Sequence, residues 1–138
     1  MSAFYPLIRL LNELRSRGRD PGDSLGRIVL APEEWRTLCT AVQHGFERGI
    51  SSFDRADRKR WGAALLLIGA QALRTRIKDA PFTYDKIGKE TGIHARIHSI
   101  SFAEYAAIEE GAEVWGIDLI RVTLADGRRQ RRFLGTMI

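Results

Sequence analysis

Four arginines stand within five residues near the end of the chain: Arg128, Arg129, Arg131 and Arg132. A guanidinium is permanently charged and offers its N–H groups as a planar fork that matches two phosphate oxygens, which an ammonium cannot do. A ribbon carrying several of them would hold a nucleic-acid backbone without reading its sequence, and its grip would weaken steeply with salt. The plainer reading is an edge strand charged against edge-to-edge pairing, or arginines paired with acids elsewhere in the domain. Lys86, Lys89 and Arg96 are the further cations that would extend the run into one basic face. Only Phe133 stands close by as an aromatic, so stacking readout of single strands is not favoured.

The remaining candidates for chemistry are sparse. His94 and His98 would share a helical face at four-residue spacing, as zinc-binding pairs do. No Cys, Asp or Glu stands at ligand spacing beside them, so they read as ordinary surface or core histidines and no metal is expected. Cys39 and His44 are five apart on one helical segment, with Cys39 on its apolar stripe. Ser51, Ser52 and Thr83 are explained as helix caps. Gly22 and Gly26 lack the Lys and Ser or Thr that would complete a phosphate-binding loop. Glu33, Glu34 and Asp118 lack the strand-borne Glu-x-Lys partner of a nuclease core. We therefore expect neither enzyme activity nor a cofactor.

The elements that must position these residues are organised around Arg60–Arg76, RWGAALLLIGAQALRTR. From Trp61 to Leu73 it is apolar on nearly every side, the mark of a buried helix. Those thirteen residues are too few to cross a bilayer, which takes about 20. Charged flanks, DRADRKR and RTRIKD, place both ends in water. Ser51 and Asp54 have the spacing of a capping box opening this helix, which should run to about Lys78 before Pro81 bars it.

Three further helices should wrap the central one. Leu7, Ile8, Leu10, Leu11 and Leu14 give Tyr5–Arg17 an apolar face. A second helix starts near Pro32, which suits a first turn. Glu33 and Glu34 sit at the positive end of its dipole, and Leu30 and Trp35 are spaced as a hydrophobic staple about Ala31. Its stripe is Trp35, Leu38, Cys39, Val42 and Phe46, and Gly49 closes it. Ser101 with Glu104 is a capping box for a last helix running through Phe102, Tyr105, Ile108, Ala112 and Trp115 to Gly116. Between them, Arg19–Gly26 is a loop by composition, and Ile28–Leu30 is a short strand or a packed lead-in. After Trp115 the period changes. Ile120, Val122 and Leu124 alternate with polar residues, Ala125-Asp126-Gly127 makes a turn, and Arg128–Leu134 returns as a second strand. The expected fold is a single mainly α domain, residues 1–138, of about five helices with a C-terminal β-hairpin over about 117–135.

The fifth helix is Tyr84–Thr91, capped by Thr83 and stopped by Gly92. With its surroundings, TYDKIGKETGI, it resembles the first helix and turn of helix-turn-helix domains, with Ile87 packing, Gly88 at the crossing and Gly92 in the turn. That pattern wants an apolar residue six places after the turn glycine. Here that place holds His98, with Ile97 one early, and Ser99 and Ser101 disfavour a recognition helix. The stretch reads instead as a short structural helix and loop.

Three segments in order, RWGAALLLIGAQALRTR, FTYDKIGKETG and EVWGIDLIRVTLADGRRQRRFLGTMI, resemble the N-terminal domain of large bacterial proteins encoded in mobile and defence islands, often beside helicases. The shared features are the apolar helix after Trp61, the aromatic-rich short helix, Trp115-Gly116, and Arg132-Phe133-Leu134-Gly135-Thr136. Tyr84 departs from the tryptophan usual in those proteins, and His94–Ile100 has no counterpart. The resemblance implies no catalytic residues. It implies an accessory module of such a system, either binding nucleic acid or docking a larger partner such as a helicase.

Charge and cysteine content set the remaining expectations. The 22 basic and 17 acidic residues leave a formal charge of +5, and 18 of the basic residues are Arg. An arginine-biased genome is the alternative source of that bias. A lone Cys39 precludes an internal disulfide and favours an intracellular, cytoplasmic setting. The N-terminal segment lacks the pattern of a signal peptide, and no membrane partner is expected.

Overall fold

A computed structural model of the chain describes residues 4–17, 30–77 and 100–113. These form four α-helices: α1 (Tyr5–Arg17), α2 (Pro32–Arg48), α3 (Arg55–Ile77) and α4 (Phe102–Ala112), with a 3-10 turn, Ile50–Ser52, between α2 and α3. No strand occurs among the described residues, and the fold is mainly α. The Tyr84–Thr91 helix and the hairpin over 117–135 lie outside the described residues.

α3 is the centre. It is 23 residues long, roughly 35 Å at 1.5 Å per residue. Trp61 to Gly69 is buried without interruption, and Trp61 and Ala63–Ile68 expose no surface at all. A helix apolar on every side needs neighbours on every side, and α1, α2 and α4 all pack on it. α1 contributes Leu7, Leu10, Leu11 and Leu14, with Phe4 just ahead of the helix also buried. α2 contributes Trp35, Leu38, Cys39, Ala41 and Val42.

α2 opens as its sequence predicts, with Ala31 as cap and Pro32 in the first turn. The Ala31 N–H donates to the Glu34 carboxylate at 2.9 Å. Only that half of a capping box can form, since an alanine methyl accepts nothing. Gly49 ends the helix at φ +87°, a conformation that favours glycine, and its N–H donates to the Gly45 carbonyl at 2.9 Å.

The opening of α3 differs from the expected Ser51–Asp54 box. Ser51 and Ser52 belong to the 3-10 turn, and the Ser52 hydroxyl donates back to the Gly49 carbonyl at 2.7 Å. Asp54 is the cap, its Oδ1 accepting the Asp57 N–H at 2.8 Å. The left-handed Gly49 turns the chain early, so the serines finish α2 rather than start α3. Asp caps as well as Ser does.

The capping box of α4 forms in full. Ser101 Oγ accepts the Glu104 N–H at 3.2 Å, and Glu104 Oε1 accepts the Ser101 N–H at 2.9 Å. Glu104 is 7 % exposed. Ser101→Ala should cost about 1 kcal/mol, the usual value for deleting such a cap. Urea denaturation checks this, and an unchanged midpoint would show that the box contributes nothing.

At its far end α4 is described to Ala112, and the expected end at Trp115 and Gly116 lies outside the described residues. The Glu113 N–H reaches the Glu110 carbonyl at 3.3 Å, a three-residue closure that tightens a last turn. Phe102 is in the helix as expected, and its ring is 73 % exposed.

Candidate nucleic-acid interface

Arg128, Arg129, Arg131, Arg132, Lys86, Lys89 and Arg96 all lie outside the described residues, as do His94, His98 and Thr83. Nothing in the structure therefore places them or brings them together. The described helices carry a separate concentration of cations at the start of α3, where Arg55, Arg58, Lys59 and Arg60 fall within six residues.

Each of the last three is tied to a neighbour. An Arg58 Nη donates to the Phe53 carbonyl at 2.6 Å, bracing the chain as it enters the helix. An Arg60 Nη meets Asp57 Oδ1 at 3.0 Å, one turn back on the same helix. Lys59 Nζ reaches across to Glu113 Oε2 at 2.8 Å, joining the start of α3 to the end of α4. The Lys59 hydrogen bond and charge, with a smaller contribution from Arg55, hold the Glu113 carboxyl below its ordinary range. That pair is open to water and screening, so it adds little to stability.

Lys59 and Arg60 also line a cleft of about 290 Å³ between α1 and α3. Ile8, Leu11 and Ala56 form its apolar part, and Asn12 and Arg15 of α1 face the α3 cations. The sequence marked DRADRKR only as a wet flank. Nothing in it tells that α1 would set Arg15 opposite Lys59, because that depends on how the two helices pack.

A second cleft of about 400 Å³ runs between α1 and α2, lined by Pro6, Leu7, Glu33, Arg36, Thr37, Thr40, Ala41 and His44. His44 stands among aromatic rings, edge-on to Phe4 at 5.7 Å and tilted against Phe53 at 5.7 Å. Cys39 is fully buried in the apolar stripe, as its position implied. Among the described residues, no three His, Cys, Asp or Glu side chains cluster so as to hold a metal ion. No described helix is long and apolar enough to cross a membrane.

Comparison with protein-family models, curated proteins and solved structures finds no match to this chain.

Proposed function

We propose that this chain is a non-enzymatic accessory module that binds nucleic acid in a bacterial defence or mobile-element system. The observation that carries the binding part is the run Arg128, Arg129, Arg131 and Arg132 in a chain of net charge +5. On an extended segment, several guanidiniums reach successive phosphates together, whatever the base sequence. The genomic setting rests on the resemblance of the Trp61 helix, the Phe82–Gly92 segment and the Trp115-Gly116 to Thr136 stretch.

Fluorescence anisotropy with labelled duplexes at several salt concentrations tests the binding. Each neutralised phosphate adds about 0.9 to the slope of log affinity against log salt. Replacing all four arginines by Gln should flatten the slope by up to about 3–4 and weaken binding alike on unrelated sequences. Undetectable binding of the parent at low salt ends the proposal. Equal slopes for both proteins move the contact to Lys86, Lys89 and Arg96.

The second reading, docking to a larger protein partner, is favoured by Phe102, a phenylalanine 73 % exposed at the start of α4. Collapse of the four-arginine variant would make those arginines internal partners and give this reading the lead.

A further inference from the structure

The described lining of the cleft between α1 and α3 has the composition of an anion site. Its apolar lining comes from the buried Leu11, the half-buried Ile8 and the exposed Ala56, and its polar lining from Asn12, Arg15, Lys59 and Arg60. Asp57 and Glu113 are the carboxylates tied to Arg60 and Lys59. Among the described residues, the three cations that line the cleft outnumber the two carboxylates tied to them.

Donors remain after the internal ion pairs are made. Lys59 uses one of three N–H groups on Glu113 and Arg60 one Nη on Asp57. Arg15 makes no hydrogen bond or ion pair with any described residue. A volume of about 290 Å³ holds a tetrahedral oxyanion and some water, a water taking about 30 Å³ in the liquid. Ala56 lines the cleft at an exposed position one turn before Arg60, so a longer side chain there can reach the opening.

We propose that this cleft binds a phosphate group, with Arg15, Lys59 and Arg60 as its charged ligands and the Asn12 amide as a neutral donor. Charge-assisted bonds from a guanidinium fork and an ammonium suit a dianionic or diester phosphate equally. The phosphate therefore comes either from a small free anion or from a nucleic-acid backbone.

The test is a titration of the ¹⁵N-labelled full chain with inorganic phosphate at constant ionic strength, followed by amide chemical shifts. Saturable shifts should gather at Asn12, Arg15, Ala56, Lys59 and Arg60. Arg15→Gln with Lys59→Gln should weaken binding at least tenfold. Ala56→Glu is the decisive variant, because it puts a carboxylate at the opening of the cleft, beside Arg60, while suiting the first turn of α3, where glutamate favours the helix dipole. It should abolish the saturable shifts and leave the melting temperature at or above that of the parent.

A parallel titration with a short duplex separates the two sources. If the duplex moves the same amides and Ala56→Glu weakens it, the ligand is backbone phosphate. If only inorganic phosphate saturates, the site serves a small phosphorylated molecule. Replacing Arg128, Arg129, Arg131 and Arg132 by Gln should leave inorganic phosphate binding intact, so this site and the arginine run succeed or fail separately. No saturable shift in the parent, or shifts that persist in folded Ala56→Glu, would overturn the proposal.

Discussion

Trp61→Ala should lower the stability of the domain by about 3–5 kcal/mol, the range for truncating a large buried aromatic. The indole exposes no surface. Its Nε1 donates to the Val42 carbonyl of α2 at 3.0 Å, so it fastens α3 to α2 by a bond as well as by area. Phe46 meets it edge-to-face at 5.3 Å and 86°. Such pairs are worth about 0.5–1.5 kcal/mol beyond their burial, and a neutral hydrogen bond about 1 kcal/mol. Gly45 lies directly against the ring, where any Cβ would collide with the indole nitrogen. Alanine would therefore leave a void lined by Gly45 and Phe46, with no neighbouring side chain at Gly45 to fill it. Against a total stability of about 5–15 kcal/mol, the loss is large enough to read directly in urea. The midpoint should fall with the slope unchanged. Trp61→Phe keeps most of the ring and loses only the N–H, so its loss should be the smaller. A shift under about 1 kcal/mol for Trp61→Ala would mean that the void closes and that the α2–α3 contact is not held by this ring.

Much of this arrangement was legible because it obeys one local rule at a time. Trp61 to Ile68 is uniformly apolar, and a helix of that kind has no option but the centre. Leu7, Leu10, Leu11 and Leu14 repeat at helical spacing and are all buried. Pro32 and Gly49 each mark a helix end by a backbone property of their own, and Glu34 does so by its carboxylate. Local pattern stops deciding where two local signals compete or where packing chooses between faces. Ser51 and Asp54 satisfy the spacing of a capping box, yet the reversal at Gly49 assigns the serines to the preceding turn. Phe102 fits the apolar stripe of Tyr105, Ile108 and Ala112 by spacing. At about 100° per residue, however, the buried arc runs from Tyr105 through Ile108 and Gly111 to Ala107, and Phe102 falls off its edge. The buried face combines small residues, Ala107, Gly111 and Ala112, with Tyr105 and Ile108. The same limit hid the α1–α3 cleft, because Arg15 and Lys59 are 44 positions apart (59 minus 15) and no local pattern pairs them.

Small residues give the second large effect, at the crossing of α3 and α4. Of the neighbours of α3, α4 packs on it most extensively, and Gly62 and Gly111 meet there. A Cβ on Gly62 would lie on the Ala107 carbonyl and 2.9 Å from the Ile108 nitrogen. A Cβ on Gly111 would lie on the Ala63 nitrogen and the Gly62 carbonyl carbon, and 2.8 Å from the Lys59 carbonyl oxygen. These obstacles are backbone atoms of the opposing helix, so no side-chain rotation relieves them and the axes must move apart. On helix propensity alone, Gly62→Ala should stabilise by about 1 kcal/mol. The close approach should reverse that sign and leave a net loss of about 2–3 kcal/mol, typical of overpacking in a tight core. Gly111→Ala should behave alike. The two are not independent, because separating the helices for one methyl makes room for the other, so the double variant should lose less than the sum of the singles. Denaturation of the three variants against the parent measures both statements. If Gly62→Ala raises the stability, the helices do not approach backbone to backbone. If the double loss equals the sum, the two glycines relieve separate contacts and do not share one crossing.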